Sequence, residues 1–546
     1  MNYRRTTLAI GAIALSAAAS LACTNFIAGK KATADGSVMI TYAADSHTLY
    51  GDLSHTAAAV HKEGAMRKVV EWDTGKYLGD IPQPKETYNV VGNMNQYQVA
   101  IGETTWGGRE ELVDTTGNAI IDYGSLIQIA LERSKSAPEA IDVMTSLVAQ
   151  YGYASEGESF TIADKNEVWV MDMIGKGAEK GAVWIAVRIP DDAICAHANE
   201  PRIRQVDLKD KKNVRYSKDM IEFARKRGYF SGKDADFSFA DAYCEHDAAT
   251  RRSCDARAWA FMRRFDQSLD KYYSWISGES DDPMPLYVIP DRKVSLKDMQ
   301  DCMRDHFEGT PLDMTQDIGA GPNHVPYRWR PMSYEVDGKT YCMERATATQ
   351  QTGWSFISQS RSWLPDAIGG VFWFGTDDTN TCVYMPLYCS LTRVPMQFTV
   401  GDLYNFDMNS NFWMNNWVAN QAYNRYDLMI PDIRKVQNGL EEKYRDSRHA
   451  SEEQLLPLAE AGMMGELTTL VNIEAAAIAK ESTDCYRQLA EFLMVKFLDG
   501  NVKKQNEDGS FKRNEYGLPS SPNFPGYDKR YYENIVKESG DHFLLK

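Results

Sequence analysis

The sequence predicts a layered α+β protein whose C-terminal part is mainly helical, and three features of its 546 residues carry that reading. Strand-like apolar runs and helical periods alternate in clusters, without the strict strand-helix-strand rhythm of a parallel sheet. Beyond about residue 410 the pattern turns helical. No fixed-period repeat and no Pro/Ser/Gly-rich linker cuts the chain into autonomous pieces, so three stretches are expected: a leader at 1–22, a body at 23–405 and a helical extension at 406–546.

The leader opens with Arg4 and Arg5, continues in an apolar run from Leu8 to Ala19, and places Ser20 and Ala22 three and one positions before Cys23. This is the form of a secretory signal with an A-x-A-like cleavage site; the run is too short to span a bilayer. A secreted or periplasmic protein beginning at Cys23 is expected, without a transmembrane segment. Lipid attachment to Cys23 is the competing outcome, although Ser20 stands where lipoprotein signals normally carry a large aliphatic residue.

In the body, Phe26 to Ala28 and Val38 to Tyr42 flank the turn former Asp35-Gly36 and read as a hairpin. Further strands are expected at 97–101, at 160–163 and 167–173 around the turn Asp164-Lys165-Asn166, and at 183–189. Ser136-Ala137-Pro138-Glu139 reads as a capping box, with Ala140, Ile141, Met144, Leu147 and Val148 at helical spacing and Gly152 as the stop. Ser295 opens a second helix, in which Cys302 and His306 share a Met-flanked stripe that reads as a core face rather than a ligand pair. Strand formers return at 369–374 and 381–385, and Ser451 to Gln454 reads as a helix start in the extension.

A net charge of −16, becoming −18 if Arg4 and Arg5 leave with the leader, and no block of five consecutive basic residues argue against nucleic acid and anionic membranes as partners. A neutral, zwitterionic or cationic substrate follows. Twelve tryptophans and 29 tyrosines suit an aromatic-lined site in a folded protein. The nine cysteines are scattered and odd in number, which leaves at least one thiol without an intrachain partner. P-loop, G-x-S-x-G, H-E-x-x-H, G-x-G-x-x-G and EF-hand patterns are absent. The cluster Cys244, His246 and Cys254 matches no zinc spacing and reads as a polar loop or a disulfide half. No cofactor is expected.

Cys23 is what remains. As a first residue it would carry its own base, because an α-amine titrates near 7.7–8.0 and a thiol at about 8.5. Thiolate attack on an amide would form an acyl-thioester that water resolves, with hydrogen-bond donors holding the oxyanion. No histidine is required.

The run from Cys23-Thr24-Asn25-Phe26 to Asp35-Gly36-Ser37-Val38 resembles the mature start of the C69 dipeptidases. These are N-terminal nucleophile hydrolases related to choloylglycine hydrolase and penicillin V acylase. The resemblance continues in blocks at 92–109, 187–203, 305–313 and 349–365, and covers residues 23 to about 435. It implies a four-layer αββα sandwich and an exported cysteine dipeptidase acting on dipeptides or very short peptides. By motif, Cys23 would be the nucleophile, Asp45 would orient its amine and thiol, and Asn95 and Asn199 would line the oxyanion site. The sequence departs from the family where relatives carry an arginine three residues before the aspartate, since Tyr42 stands there. Either another arginine substitutes, with Arg361 and Arg109 as the candidates, or the site works with a higher thiol pKa or an altered preference; with Tyr42, Glu103 and Trp106 the two arginines make up the expected substrate-binding set. An N-acyl amide hydrolase and an inert lipid-anchored surface protein stay open as alternatives, as does a homo-oligomer.

Overall fold

The computed structural model describes residues 23–545, so the expected leader lies outside the described residues. The hairpin at its start forms as the turn chemistry requires, with Asn25–Ala28 and Val38–Asp45 paired antiparallel at Ile27 with Ile40 and Ala28 with Met39. This hairpin lies inside an antiparallel sheet of seven strands. Their order is Tyr287–Val288, Ile194–His197, Asn25–Ala28, Val38–Asp45, Thr352–Ser360, Gly370–Thr376 and Met385–Tyr388. A second antiparallel sheet, of eight strands, is centred on Ala100–Trp106, Gly157–Ala163, Val168–Lys176 and Glu179–Ile189.

The two sheets face each other, with Ala100–Trp106 against Val38–Asp45. Helices Tyr123–Arg133 and Ala137–Tyr151 cover the far side of the eight-stranded sheet, burying Ile129, Ile141 and Met144 with Ile101, Phe160 and Met171. Helices Ala256–Arg263, Asn411–Ala422 and Met464–Lys496 cover the seven-stranded sheet. The result is the expected αββα layering, which hides both faces of both sheets from water. The C-terminal helices belong to the same core: Val418, Ile433 and Tyr486 are buried together with Phe372 and Leu387. Among the described residues no helix is long and apolar enough to cross a membrane.

Five local expectations change. The strand expected at 97–101 starts only at Ala100, because the Asn95 side-chain oxygen accepts from the backbone N–H groups of Tyr97 and Val99 and winds that segment into a turn. The apolar run at 381–385 is buried but not a strand until Met385. Glu441 takes the Tyr384 N–H at 3.0 Å and Gln437 donates to the Cys382 carbonyl at 2.5 Å, replacing ladder bonds. Ser451 starts no helix; it lies inside the 35-residue helix Tyr426–Glu460, its hydroxyl donating to Glu474 at 2.7 Å. Ser136 does cap its helix, but Glu139 turns to the Lys135 N–H, so the box does not close. All nine cysteines are free thiols, seven of them buried. The helix opened by Ser295 ends at Cys302, so His306 is not on its stripe; it lies beyond the helix, fully buried and edge-on to Tyr327 and Tyr426.

Candidate active site

Cys23 precedes the first strand, and its neighbour Thr24 exchanges backbone bonds with Ala43, which fixes the cysteine beside Val38–Asp45. The thiol is 2% exposed. It lies 3.6 Å from the Tyr42 hydroxyl and 3.3 Å from Glu103 Oε1, and the Tyr42 hydroxyl donates to that same carboxylate oxygen. Burial raises the thiol well above its ordinary range, and the charges of Glu103 and Asp45 push the same way. A side chain cannot stand at Gly102, where a Cβ would come within 2.2 Å of Asn25 Oδ1. That bare backbone lets Asn25 Nδ2 reach the Glu103 carbonyl at 2.6 Å, drawing Glu103 against the sulfur.

Glu103 has a second carboxyl beside it. In the register of the two strands Thr105 is opposite Glu158 and Glu103 opposite Phe160, so the two glutamates are diagonal neighbours. Each is buried, and each has one oxygen, Oε2, that no donor satisfies. Burial raises both carboxyls, and Glu158 is raised further by the charge of Glu103. Two buried acids in this arrangement titrate as a pair and hold one proton between them.

Cations arrive from residues that the sequence did not single out. Arg257, 1% exposed, donates to the Cys23 carbonyl at 2.7 Å, to Thr24 Oγ1 at 2.8 Å and to Asn199 Oδ1 at 2.8 Å. Burial, followed by the nearby Arg345 charge, pulls its guanidinium down to about 9. Arg345 is ion-paired with the fully buried Asp45, whose other oxygen accepts from Thr352 Oγ1 at 2.6 Å. One signal for Arg257 was present in the chain: it is the only charge between Ala256 and Met262, in a run of alanines and aromatics, and a buried charge must have partners. Arg345 has no comparable mark.

A cavity of about 620 Å³ opens beside this group, lined among others by Trp106, Tyr123, Glu158, Asn199, Arg257 and Arg345. A larger cavity of about 820 Å³, around Arg204, His246 and Trp275, is bordered by none of the residues that touch Cys23. Trp106 and Asn199 line this cavity, while Cys23, Tyr42, Asp45 and Glu103 lie behind its wall and are tied to it through Arg257 and Arg345 and by Glu103's neighbour Glu158. The ring of Trp106 fills the space over Gly157, where a Cβ would meet it at 2.2 Å.

Three expected residues are elsewhere. Asn95 spends its amide on structure: Nδ2 donates to the Leu131 and Ser134 carbonyls at the end of a helix, and Oδ1 closes the 97–99 turn. Arg109 donates to the Ala242 carbonyl and stacks on Tyr229. Arg361 binds the Ile368 and Gly369 carbonyls and pairs with Glu452. Both guanidinium groups are held by these other partners, so neither arginine replaces the cation absent at Tyr42. Among the described residues no group of three His, Cys, Asp or Glu is placed to hold a metal ion.

The model of peptidase family C69 matches residues 22–439. A probable dipeptidase of Salmonella dublin is 27% identical over 387 residues, 67% of this chain and 81% of the relative. A probable dipeptidase of Latilactobacillus sakei is likewise 27% identical, over 67% of this chain and 74% of its own length. A dipeptidase of Bifidobacterium longum is 24% identical over 73% and 76%. The solved structure of a penicillin V acylase from Agrobacterium tumefaciens aligns over 70% of this chain and 88% of its own, at 11% identity and a TM-score of 0.26.

Proposed function

This chain belongs to peptidase family C69, and from that premise we propose that it is an exported cysteine dipeptidase. The observation that carries the reading is the convergence on Cys23. Its thiol meets Tyr42 and Glu103, and its carbonyl is clamped by Arg257, whose other arm holds Asn199 at the cavity. Removal of residues 1–22 frees the Cys23 α-amine, which takes the thiol proton as the sulfur attacks the peptide carbonyl. The same amine returns the proton to the leaving amine. An acyl-thioester remains, and water resolves it.

Asn199 Nδ2 gives one hydrogen to the Thr105 carbonyl at 2.6 Å and serves the tetrahedral oxyanion as a neutral donor through the other, with Arg257 on Oδ1 fixing the amide's orientation. The Asp45–Arg345 pair holds the strand end that carries the sulfur's surroundings, with both charges balanced. A thiol kept protonated by burial and by Glu103 is unreactive until the amine is present. Export and activation then coincide. The arginines on one wall of the cavity fit the substrate's carboxylate, and carboxyl groups on the other fit its ammonium, which restricts turnover to very short peptides with free ends.

The test is hydrolysis of alanyl-alanine by protein beginning at Cys23. Cys23→Ala is expected to lower kcat by about 10³-fold or more, and N-acetylation or C-terminal amidation of the substrate to abolish turnover. Persistent activity in Cys23→Ala sinks the mechanism; equal turnover of blocked substrates sinks the recognition of free ends. Intact mass settles the start of the chain: a bare cysteine at residue 23 supports the enzyme, and a diacylglycerol adduct opposes it.

A further inference from the structure

The cavity beside Cys23 has two electrical sides. One wall carries Arg257, Arg330 and Arg345. The lining also carries Glu71, Asp73, Asp122, Glu156 and Glu158, with Asp247 a sixth acid on the segment that bears Arg257, and among the described residues none of the first five has a Lys, Arg or His partner within ion-pair distance. Their charged neighbours are other acids: Asp122 and Glu71 act on Asp73, Glu110 on Glu156, and Glu103 and Glu156 on Glu158. Neutral donors meet part of the demand, with the Tyr123 hydroxyl 3.0 Å from Asp73, Trp72 N–H 2.9 Å from Asp122 and Thr105 Oγ1 2.8 Å from Glu158. Glu158, fully buried and lining the cavity, has Oε2 without a donor apart from the proton it shares with Glu103, so that pair adds one negative charge to the wall rather than two.

Such a wall asks for more positive charge than one ammonium. The carboxyls are spread along it rather than converging as metal ligands would, so the matching cation is extended and organic. In a dipeptide the ammonium and the first side chain branch from the same carbon. When the arginine wall takes the carboxylate of the second residue, the first side chain is left along the acidic wall.

We propose that this wall, with Asp73 and Glu156 as its outer members, receives a positively charged side chain on the first residue, so that the preferred substrates are dipeptides beginning with lysine or arginine. The inference rests on the dipeptidase reading above. The experiment compares kcat/KM for Lys-Ala, Ala-Ala, Glu-Ala and Ala-Lys in the purified enzyme and in Asp73→Asn and Glu156→Gln. Lys-Ala is expected to exceed Ala-Ala by about tenfold or more, with Glu-Ala poorest and Ala-Lys showing no gain. In either variant the Lys-Ala to Ala-Ala ratio falls toward one; measured within each variant, it is unaffected by the folded fraction. A wild-type ratio at or below one overturns the proposal, as does a ratio that neither substitution moves. If none of the four is hydrolysed, the dipeptidase reading itself falls and this inference with it, which is a distinct result from turnover without preference.

Discussion

Replacing Glu103 by glutamine removes the carboxyl group in contact with the Cys23 sulfur, at 3.3 Å, while leaving an oxygen that can still accept from Tyr42. A negative neighbour disfavours the thiolate, so its removal lowers the thiol pKa, and more thiolate is present at any given pH. For charge centres about 4 Å apart at an effective dielectric of about 20, the interaction is worth about 4 kcal/mol. Glu103 shares its proton with Glu158, so part of that charge is already neutralised. About 1.4 to 2.8 kcal/mol remains, a ten- to hundredfold larger thiolate fraction. Burial, the largest cause of the raised pKa, is untouched, so the thiol stays weaker than a free cysteine. The assay is iodoacetamide labelling of the peptide containing Cys23 between pH 7 and 10, followed by mass spectrometry, which separates it from the other eight cysteines. The profile of Glu103→Gln should move to lower pH by that factor. A profile that stays in place, or moves to higher pH, refutes the electrostatic account and makes Glu103 a base that assists the thiol.

Three further outcomes follow from particular contacts. Asn95→Ala should cost about 3 to 5 kcal/mol of stability, since three buried backbone groups and one half-buried one lose their partner, yet keep kcat per folded molecule within about tenfold; Asn199→Ala should lose about 10²–10³ in kcat, and the reverse ranking would return Asn95 to the oxyanion site. Arg257→Met strands three acceptors, at Cys23, Thr24 and Asn199, and is expected to cost about 3 to 5 kcal/mol in denaturant melts, with Arg257→Lys recovering only part because an ammonium cannot fork. Burial raises Asp377 to about 8, so between about pH 4 and 8 the folded state holds a proton that the unfolded state releases, and stability falls as pH rises through that window, by up to about 1.4 kcal/mol per pH unit. Asp377→Asn should flatten thermal melts compared at pH 5 and pH 8, and a slope equal to that of the wild type would dismiss the assignment.

The chain itself determined a good deal. Apolar runs with turn formers between them are local properties, so the first hairpin, the helix capped by Ser136 and the helical character beyond residue 410 were legible. The prominence of Cys23 was legible too, because a nucleophile that needs its own amine has one place to stand. What only tertiary structure decided is which side chains meet it. Asn95 looks like Asn199 in sequence, but backbone carbonyls from a helix end and the N–H groups of its own turn consume its amide. Arg109 and Arg361 lie in the right blocks, while Arg257, 234 residues from Cys23, holds the nucleophile's carbonyl. Partners at such separations are set by sheet register and by the stacking of the two sheets, and no local periodicity encodes either. Glu103 and Glu158 share that origin: only the ladder between their strands places two carboxyls and a thiol in one dry space, where their protons are decided jointly.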